Sequence, residues 1–450
     1  MKNKLLQSSG WPASSALPAR QPDGSHGGGR SNAGWWIIVI LSLVPVLFIK
    51  PVFTPNGLGR ILGLTGFAMF ALVLILSARL KIFEIFFKGI NDSYTAHHFF
   101  GGLSFCLILF HPLLLSANYL IASPRTAILF FLPSSNLAQN LGIFGLFLMI
   151  LTLAITFYAK IKYQAWKFTH KFMGVAFILV FFHVFLIGSD VGSNYALKTY
   201  FLILGALAIV SYLYRVLLAD YFILPKTFRY AVKRVKAMPD KIWEVEFTAK
   251  NSPLNFKPGQ FAFIRIHSKA VSKEAHPFTF SSSSGENLKI AIKELGDYTN
   301  NIGKLKPGDL VEIEGPFGAF CFRDFPSKNQ IWIAGGVGIA PFLSMLRSLT
   351  EQDSNFIIHL FFSVKEKSLF SFREEILSIA KKNKNLHVVF WDSSSMGFIT
   401  ANAVRKNVPN TNSCDILICG PTAMMQSLNS QFLKHGLNKK QIHTEEFTLY

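Results

Sequence analysis

The chain has 450 residues, 50% hydrophobic and 16% charged, with a formal net charge of +20 at neutral pH. It is too apolar for one soluble domain and too long for one hydrophobic core. The charge alone would admit nucleic acid as a partner, but no nucleic-acid motif accompanies it and the apolar excess of the first half points to a lipid bilayer instead.

Residues 1–33 lack an apolar run and are rich in Ser, Gly and Pro. They read as a disordered cytoplasmic tail, not a cleavable signal. Six apolar spans follow, at about 35–49, 58–80, 94–118, 139–160, 168–188 and 199–219, so an α-helical membrane bundle is expected over 34–221. The first span is short and ends at Lys50-Pro51. Arg79, Lys81 and Lys88 flank one connection, and Lys160, Lys162 and Lys167 flank another. The opposite loops carry little: Lys50 and Arg60, then Arg125, then Lys198. The positive-inside rule puts both termini in the cytoplasm of a multi-pass protein of the cell inner membrane.

The third and fifth spans each carry a histidine pair, His97 with His111 and His170 with His183, 14 and 13 residues apart. Imidazole in a lipid-facing segment is costly and is kept when it has a partner. At helical rise each pair covers about 20 Å, roughly two-thirds of the hydrocarbon core. A 14-residue separation returns to within about 40° of the starting face, and a 13-residue one lands about 140° away. The fifth span therefore needs a distortion or a strong tilt to aim both rings inward. Both spans run from inside to outside, so His97 shares the inner level with His170, and His111 the outer level with His183. Two imidazoles on each of two levels suggest two stacked b-type haems. The plainer alternative is four histidines hydrogen-bonded to neighbouring helices. His98 is also open as the inner ligand, because it lies 13 residues before His111. Gly101 follows His97 by four residues as Gly174 follows His170, which favours His97.

From about residue 222 short β-rich runs alternate with turns: Lys241–Thr248, Gln260–His267, Leu288–Lys293 and Leu310–Glu314, punctuated by Pro258-Gly259, Pro307-Gly308 and Gly315-Pro316. This predicts a small antiparallel β-barrel over 222–325. Directly after the last span, Lys226, Arg229, Lys233, Arg234 and Lys236 form a basic run suited to anionic headgroups. In the barrel, His276-Pro277-Phe278-Thr279 precedes a serine run that includes Ser281 and Ser282, and Gly296-Asp297-Tyr298-Thr299 opens a short helix. One segment offers an aromatic face and hydroxyls, the other a helix amino terminus for phosphate, and a flavin dinucleotide needs both. A polar strand end and an ordinary helix cap are the plainer reading.

From Gln330 strand and helix alternate, with strands at Gln330–Ala334, Phe356–Val364, Leu386–Trp391 and Asp415–Cys419. That predicts an α/β domain with a parallel sheet over 326–450. Gly335-Gly336-Val337-Gly338-Ile339-Ala340-Pro341 joins the first strand to a helix, where glycines let a phosphate approach the backbone. Cys419-Gly420-Pro421 lies at the same sheet edge, where open α/β sheets bind ligands. Ser363-Val364-Lys365 offers a hydroxyl and an ammonium to a 2′-phosphate, a lean to NADPH over NADH, against a solvated surface lysine. Cys106, Cys321, Cys414 and Cys419 fit no zinc or iron–sulfur spacing and are expected to be reduced bystanders.

On these residues the chain resembles the ferric reductase and NADPH oxidase superfamily, bacterial type, over nearly everything after the tail. The membrane resemblance rests on the starts His97 to Gly101 and His170 to Gly174, each followed by its outer histidine. The soluble resemblance rests on HPFT, GDYT, GGVGIAP and CGP in that order, and Glu445-Glu446-Phe447 is similar to the family's acidic–aromatic ending. The resemblance implies FAD, two b-type haems and NAD(P)H as cofactors. It implies that His276 contacts the flavin pyrophosphate, that Phe278 packs on the isoalloxazine, and that Thr279 hydrogen-bonds near its reactive edge. Gly296 and Thr299 would bind the pyrophosphate, with Pro277, Ser281 and Ser282 in the same flavin site. Gly335, Gly336, Gly338 and Pro341 would cradle the nicotinamide dinucleotide, and Cys419 and Gly420 would lie near its nicotinamide. Phe447 would cover the other flavin face until nicotinamide displaces it. Phe278, Thr279, Cys419 and Phe447 are thus the expected catalytic set. The family often has arginine or tyrosine in the HPFT-type segment, and Tyr450 competes with Phe447 as the shielding aromatic.

The implied function is transmembrane electron transfer, from cytoplasmic NAD(P)H through FAD and the inner and outer haems to an external acceptor. A ferric iron chelate is the expected acceptor. Oxygen, giving superoxide, and a periplasmic protein served by an electron-donating subunit are the alternatives, as is a membrane-tethered flavoreductase without haem. The outer loops, about 119–138 and 189–198, build no iron-chelating cluster and leave the acceptor open.

Overall fold

Five helices in the first half are long and apolar enough to cross a membrane. They belong to a computed structural model that describes residues 33–446, apart from 50–52, 79, 81, 88, 160, 162, 189, 220–227 and 286. Most of the expected tail lies outside these residues, as do Lys50, Arg79, Lys81, Lys88, Lys160 and Lys162 of the charge argument, Lys226 of the basic run, and Phe447 and Tyr450. The chain divides into two units, with boundaries at Ser31–Leu224 and from Pro225 onward.

In the membrane unit the first helix, α1 (Ala33–Leu43), runs into a 3₁₀ turn, Val44–Phe48, that contains Pro45. Its 11 residues rise about 16 Å, half the hydrocarbon thickness, so the first expected span is shorter than a full crossing. The long helices are α2 (Pro55–Leu76), α3 (Ile90–Ala122), α4 (Leu137–Tyr158), the pair α5 (Tyr163–His170) and α6 (Phe172–Leu186), and α7 (Tyr195–Leu213). Their starts are capped as their sequences dictate. Thr54, Asn136 and Asn194 accept the free N–H groups of Gly57, Gln139 and Leu197, and Pro55 fills a first-turn position with no N–H to satisfy.

Helix α2 is the centre of the unit. It is buried over 67% of its most apolar window, against 17–28% for the other four spans. It packs along α3 and against α1 and α7, while α4 packs along α6. Small residues make this possible. A Cβ on Gly59 would come within 3.1 Å of the His111 carbonyl oxygen, and one on Gly66 within 2.9 Å of Ile108.

The second unit holds two sheets. Six antiparallel strands, β1 (Phe228–Met238), β2 (Ile242–Ala249), β3 (Phe261–His267), β4 (Ala275–Thr279), β5 (Asn287–Lys293) and β6 (Leu310–Phe317), are ordered β4-β3-β6-β1-β2-β5. A single bridge between Phe280 and Ile290 links the chain just past β4 to β5. The described part of the basic run lies in β1, where Arg229, Lys233, Arg234 and Lys236 flank the buried run Tyr230, Ala231 and Val232. Lys233 pairs with Glu246 on β2. The charges hid a strand whose apolar positions face the sheet's core.

The second sheet is parallel, with β7 (Asn329–Gly335), β8 (Ile357–Val364), β9 (Leu386–Asp392), β10 (Asp415–Cys419) and β11 (Ile442–Glu445) ordered β11-β10-β7-β8-β9. Helices α8 (Ile339–Arg347) and α9 (Arg373–Lys382) share one apolar cluster with it. Helices α10 (Ala401–Asn407) and α11 (Thr422–Lys434) share the other. The sheet is covered on both faces, as a parallel sheet with near-continuous apolar strands must be.

Candidate cofactor sites

Three of the four expected histidines are anchored in the same way. Nδ1 lies 2.8 Å from the Gly59 carbonyl in His111, 2.7 Å from the Ala138 carbonyl in His183 and 3.1 Å from the Val73 carbonyl in His97. A carbonyl only accepts, so each Nδ1 carries the proton and each Nε2 presents its lone pair, which is the tautomer a metal takes. Two glycines open the space for these rings. A Cβ on Gly63 would sit 2.5 Å from His111 Nδ1, and one on Gly142 would sit 2.7 Å from His183 Nδ1.

The rings of His111 and His183 come together, with centroids 6.5 Å apart. With each Nδ1 engaged by a carbonyl, the remaining nitrogens of the two rings are the donors that would hold a b-type haem here. His170 stands at the end of α5, its Nδ1 buried without a hydrogen-bond partner and its ring stacked on Trp166 at 5.4 Å. It is within electrostatic range of His98, whose ring lies 5.6 Å from that of His97. The helix is interrupted immediately after His170. Lys171 N–H bonds Phe168 and Gly174 N–H bonds Lys171, both one residue short of the α-helical interval. The 13-residue spacing predicts a distortion or strong tilt in this span, and the interruption is a local distortion at its start.

In the antiparallel sheet, β4 carries His276, Pro277, Phe278 and Thr279. The His276 ring lies 3.9 Å from Tyr298 and its Nε2 lies 3.1 Å from Glu274. Tyr298 packs against Phe278 as well, at 6.3 Å. The two expected flavin segments are thus brought together. Burial, and then the Glu274 charge, push the Tyr298 phenol well up, so it stays neutral. The Thr299 hydroxyl accepts the N–H groups of Leu295 and Gly296 and starts the 3₁₀ turn Thr299–Lys304. Gly296 is open, with nothing near an added Cβ. Ser281 and Ser282 sit differently: both are buried, and the Ser282 hydroxyl accepts the Lys289 N–H.

The nucleotide loops also converge. Strands β7 and β10 are neighbours in register, Ala334 beside Cys419. A Cβ on Gly338 would lie 2.3 Å from the Cys419 carbonyl oxygen, and one on Gly420 would lie 3.0 Å from Gly335 Cα. Gly336 takes a positive φ of 56°. Pro341 is buried in the first turn of α8, and Lys365 is exposed just past β8. Cys419 is fully buried. Burial, then Glu445 and Glu446, push its thiol well up, so it is a neutral thiol at neutral pH. Glu445, beside Cys419 on β11, is pushed up to about 8 by burial and by Glu446.

Sequence reasoning missed Gly63 and Gly142, although small residues at positions 59, 63 and 66 and at 142 and 145 form a recognisable stripe. It named Glu445 only as part of the acidic–aromatic ending and did not foresee its burial beside Cys419.

Residues 62–181 match the ferric reductase like transmembrane component, 227–319 an FAD-binding domain and 332–430 an oxidoreductase NAD-binding domain. A flavohemoprotein of Rhodopirellula baltica is 26% identical over 218 residues, covering 43% of this chain and 53% of that protein. The ferredoxin–NAD(P)(+) reductase component of naphthalene 1,2-dioxygenase/salicylate 5-hydroxylase systems, from Ralstonia sp, is 26% identical over 206 residues, covering 43% and 61%. A glycine betaine monooxygenase reductase subunit of Pseudomonas aeruginosa is 28% identical over 240 residues, covering 49% and 64%. The chain spans 53–64% of the length of these relatives. A ferric-reductase-like membrane component, an FAD-binding domain and an NAD-binding domain in that order match the architecture of the ferric reductase and NADPH oxidase superfamily.

Proposed function

We propose that this protein is an NAD(P)H-dependent oxidoreductase that carries electrons across the cell inner membrane, from cytoplasmic nucleotide to an external ferric chelate. In this reading the short first helix is a sixth span, the six-stranded sheet is a barrel closed at Phe280 and Ile290, and both termini face the cytoplasm. The single observation that carries the reading is the outer imidazole pair, His111 and His183, 6.5 Å apart with both Nδ1 atoms engaged by carbonyls. Two imidazoles this close inside apolar spans, each with its Nδ1 held by a backbone carbonyl, support a shared ligand rather than two separate hydrogen-bonded histidines.

The chemistry that the bound groups supply is hydride acceptance by FAD and one-electron transfer by two b-type haems. The chain's own residues do the rest. His97 and His170 hold the inner haem, and His111 and His183 the outer one. Phe278 supplies an apolar face to the flavin, Thr279 a hydroxyl at its reactive edge, and His276, Gly296 and Thr299 a polar seat for its pyrophosphate. Gly335, Gly336, Gly338 and Pro341 let the nucleotide pyrophosphate reach the start of α8. Cys419 and Gly420 wall the nicotinamide, with the thiol too high in pKa to act as a nucleophile. Lys365 receives the 2′-phosphate, which favours NADPH, and Phe447 shields the flavin between turnovers.

Sealed vesicles test this directly. With the soluble unit facing the medium and oxygen removed, added NADPH should reduce an impermeant ferric chelate trapped inside. His183→Ala should abolish that transfer while NADPH still bleaches the flavin. Reduction that requires broken vesicles, or full transfer in His183→Ala, would make the protein a membrane-anchored flavoreductase. Superoxide production without anaerobic chelate reduction would make oxygen the acceptor.

A further inference from the structure

The helix that begins at the nucleotide loop ends on the flavin-binding sheet. Helix α8 starts at Ile339, directly after Gly338, and its last residue is Arg347, about 13 Å away at helical rise. The Arg347 side chain is 11% exposed and spends its donors on three partners. Nη1 donates to the Ser281 carbonyl at 2.7 Å, Nη2 to Glu244 of β2 at 2.8 Å, and Nε and Nη2 together grip Glu375 of α9 at 2.7 and 2.8 Å. One turn earlier, Ser344 is fully buried. Its hydroxyl donates to the Ser282 carbonyl at 2.6 Å and accepts the Gly259 N–H at 3.4 Å. Gly259 has φ +92°, and a Cβ there would lie 1.9 Å from the Phe320 carbonyl oxygen and 2.7 Å from Met345 Cε. The turn can approach α8 because it has no side chain.

Ser281 lies two residues beyond Thr279, the end of the segment assigned to the flavin. It is tied back to β5 by its own N–H to Lys289 at 2.8 Å. A short, stiff path therefore runs from the flavin's reactive edge through Ser281 and Arg347 along one helix to the glycines that hold the nucleotide. A planar fork with a fixed donor geometry suits this task better than a point charge on a flexible stem.

We propose that Arg347 is a positioning residue for hydride transfer: by clamping the carboxyl end of α8 to the Ser281–Ser282 backbone, it fixes the distance between nicotinamide and flavin. The inference rests on the functional reading above. Arg347 touches neither cofactor site loop directly, and its removal acts on geometry. A misplacement of about 1 Å in such a step costs on the order of 10²-fold in rate.

The test uses the full chain in detergent, loaded with FAD, as wild type, Arg347→Met, Arg347→Lys and Ser344→Ala. The measurements are flavin bleaching by NADPH in stopped flow, the nicotinamide–flavin charge-transfer absorbance, FAD content and the nucleotide KM. Arg347→Met should slow bleaching at saturating NADPH by about 10- to 100-fold. It should also weaken the charge-transfer band, with FAD content and KM within about twofold of wild type. Arg347→Lys should recover part of the rate, and Ser344→Ala should show a smaller loss of the same kind. Unchanged bleaching in FAD-loaded Arg347→Met overturns the inference. So does a loss that tracks FAD content or melting temperature across the three variants, which would make the contact merely structural. A wild-type flavin that NADPH does not bleach overturns the functional reading, whereas normal wild-type bleaching with an unaffected variant overturns this inference alone.

Discussion

The role of Gly63 can be tested with one methyl group. In Gly63→Ala the added carbon would lie 2.5 Å from His111 Nδ1, 2.8 Å from its Cγ and 3.0 Å from its Cε1. Ordinary contact begins at 3.4 Å, so the ring must retreat by about 0.9 Å. A retreat of that size away from α2 stretches the 2.8 Å bond to Gly59 beyond hydrogen-bonding range. Losing such a partner typically costs a metal site about 10- to 100-fold in affinity. The variant should therefore retain about one haem per chain where wild type has two, read by the pyridine haemochrome. Dye reduction by NAD(P)H should persist, because it needs only the soluble unit. Loss of helix stability is not an explanation, since alanine is favoured over glycine in a helix by about 1 kcal/mol. Gly102→Ala in α3 is the matched control, with nothing near the added carbon, and should keep both haems. Two haems with an unshifted spectrum in Gly63→Ala would refute the argument that this glycine seats the outer ligand.

Gly338→Ala places a carbon 2.3 Å from the Cys419 carbonyl oxygen and 2.8 Å from Gly420 Cα, both backbone. Relief requires prising the two nucleotide loops apart, so the KM for NAD(P)H should rise at least tenfold with FAD content unchanged; steady-state kinetics with an unaltered KM would count against the loop assignment. Glu445 titrates near 8 in the folded protein against 4.5 for an ordinary glutamate, so the native state holds a proton that the unfolded chain releases. The sign follows: this group costs no stability below about pH 4.5, and its cost grows as pH rises toward 8, by up to about 1.4 kcal/mol per unit. Glu445→Gln should therefore gain more melting temperature over wild type at pH 8 than at pH 4, and an equal offset at both pH values would exclude a buried, protonated Glu445.

Much of this protein was legible from segments taken one at a time. Apolar length marked the spans, and alternation with Pro-Gly turns marked β2, β3, β5 and β6. Glycines after a strand marked the nucleotide loop. What the segments meet was not legible. The carbonyls that orient His111 and His183 lie 52 and 45 residues away along the chain, on helices whose approach depends on single glycines. Strand β1 was obscured because its charges break the period-2 pattern around Tyr230, Ala231 and Val232, whose burial only a finished sheet reveals. Ser281 and Ser282 look like flavin ligands in the sequence, and that α8 also packs onto their backbone is decided only once the helix docks. Local periodicity and motif order thus determined the elements and the kind of chemistry. Packing decided which histidine nitrogen is engaged, which thiol is neutral and which arginine ties two helices to the six-stranded sheet, because each depends on neighbours that the chain brings in from elsewhere.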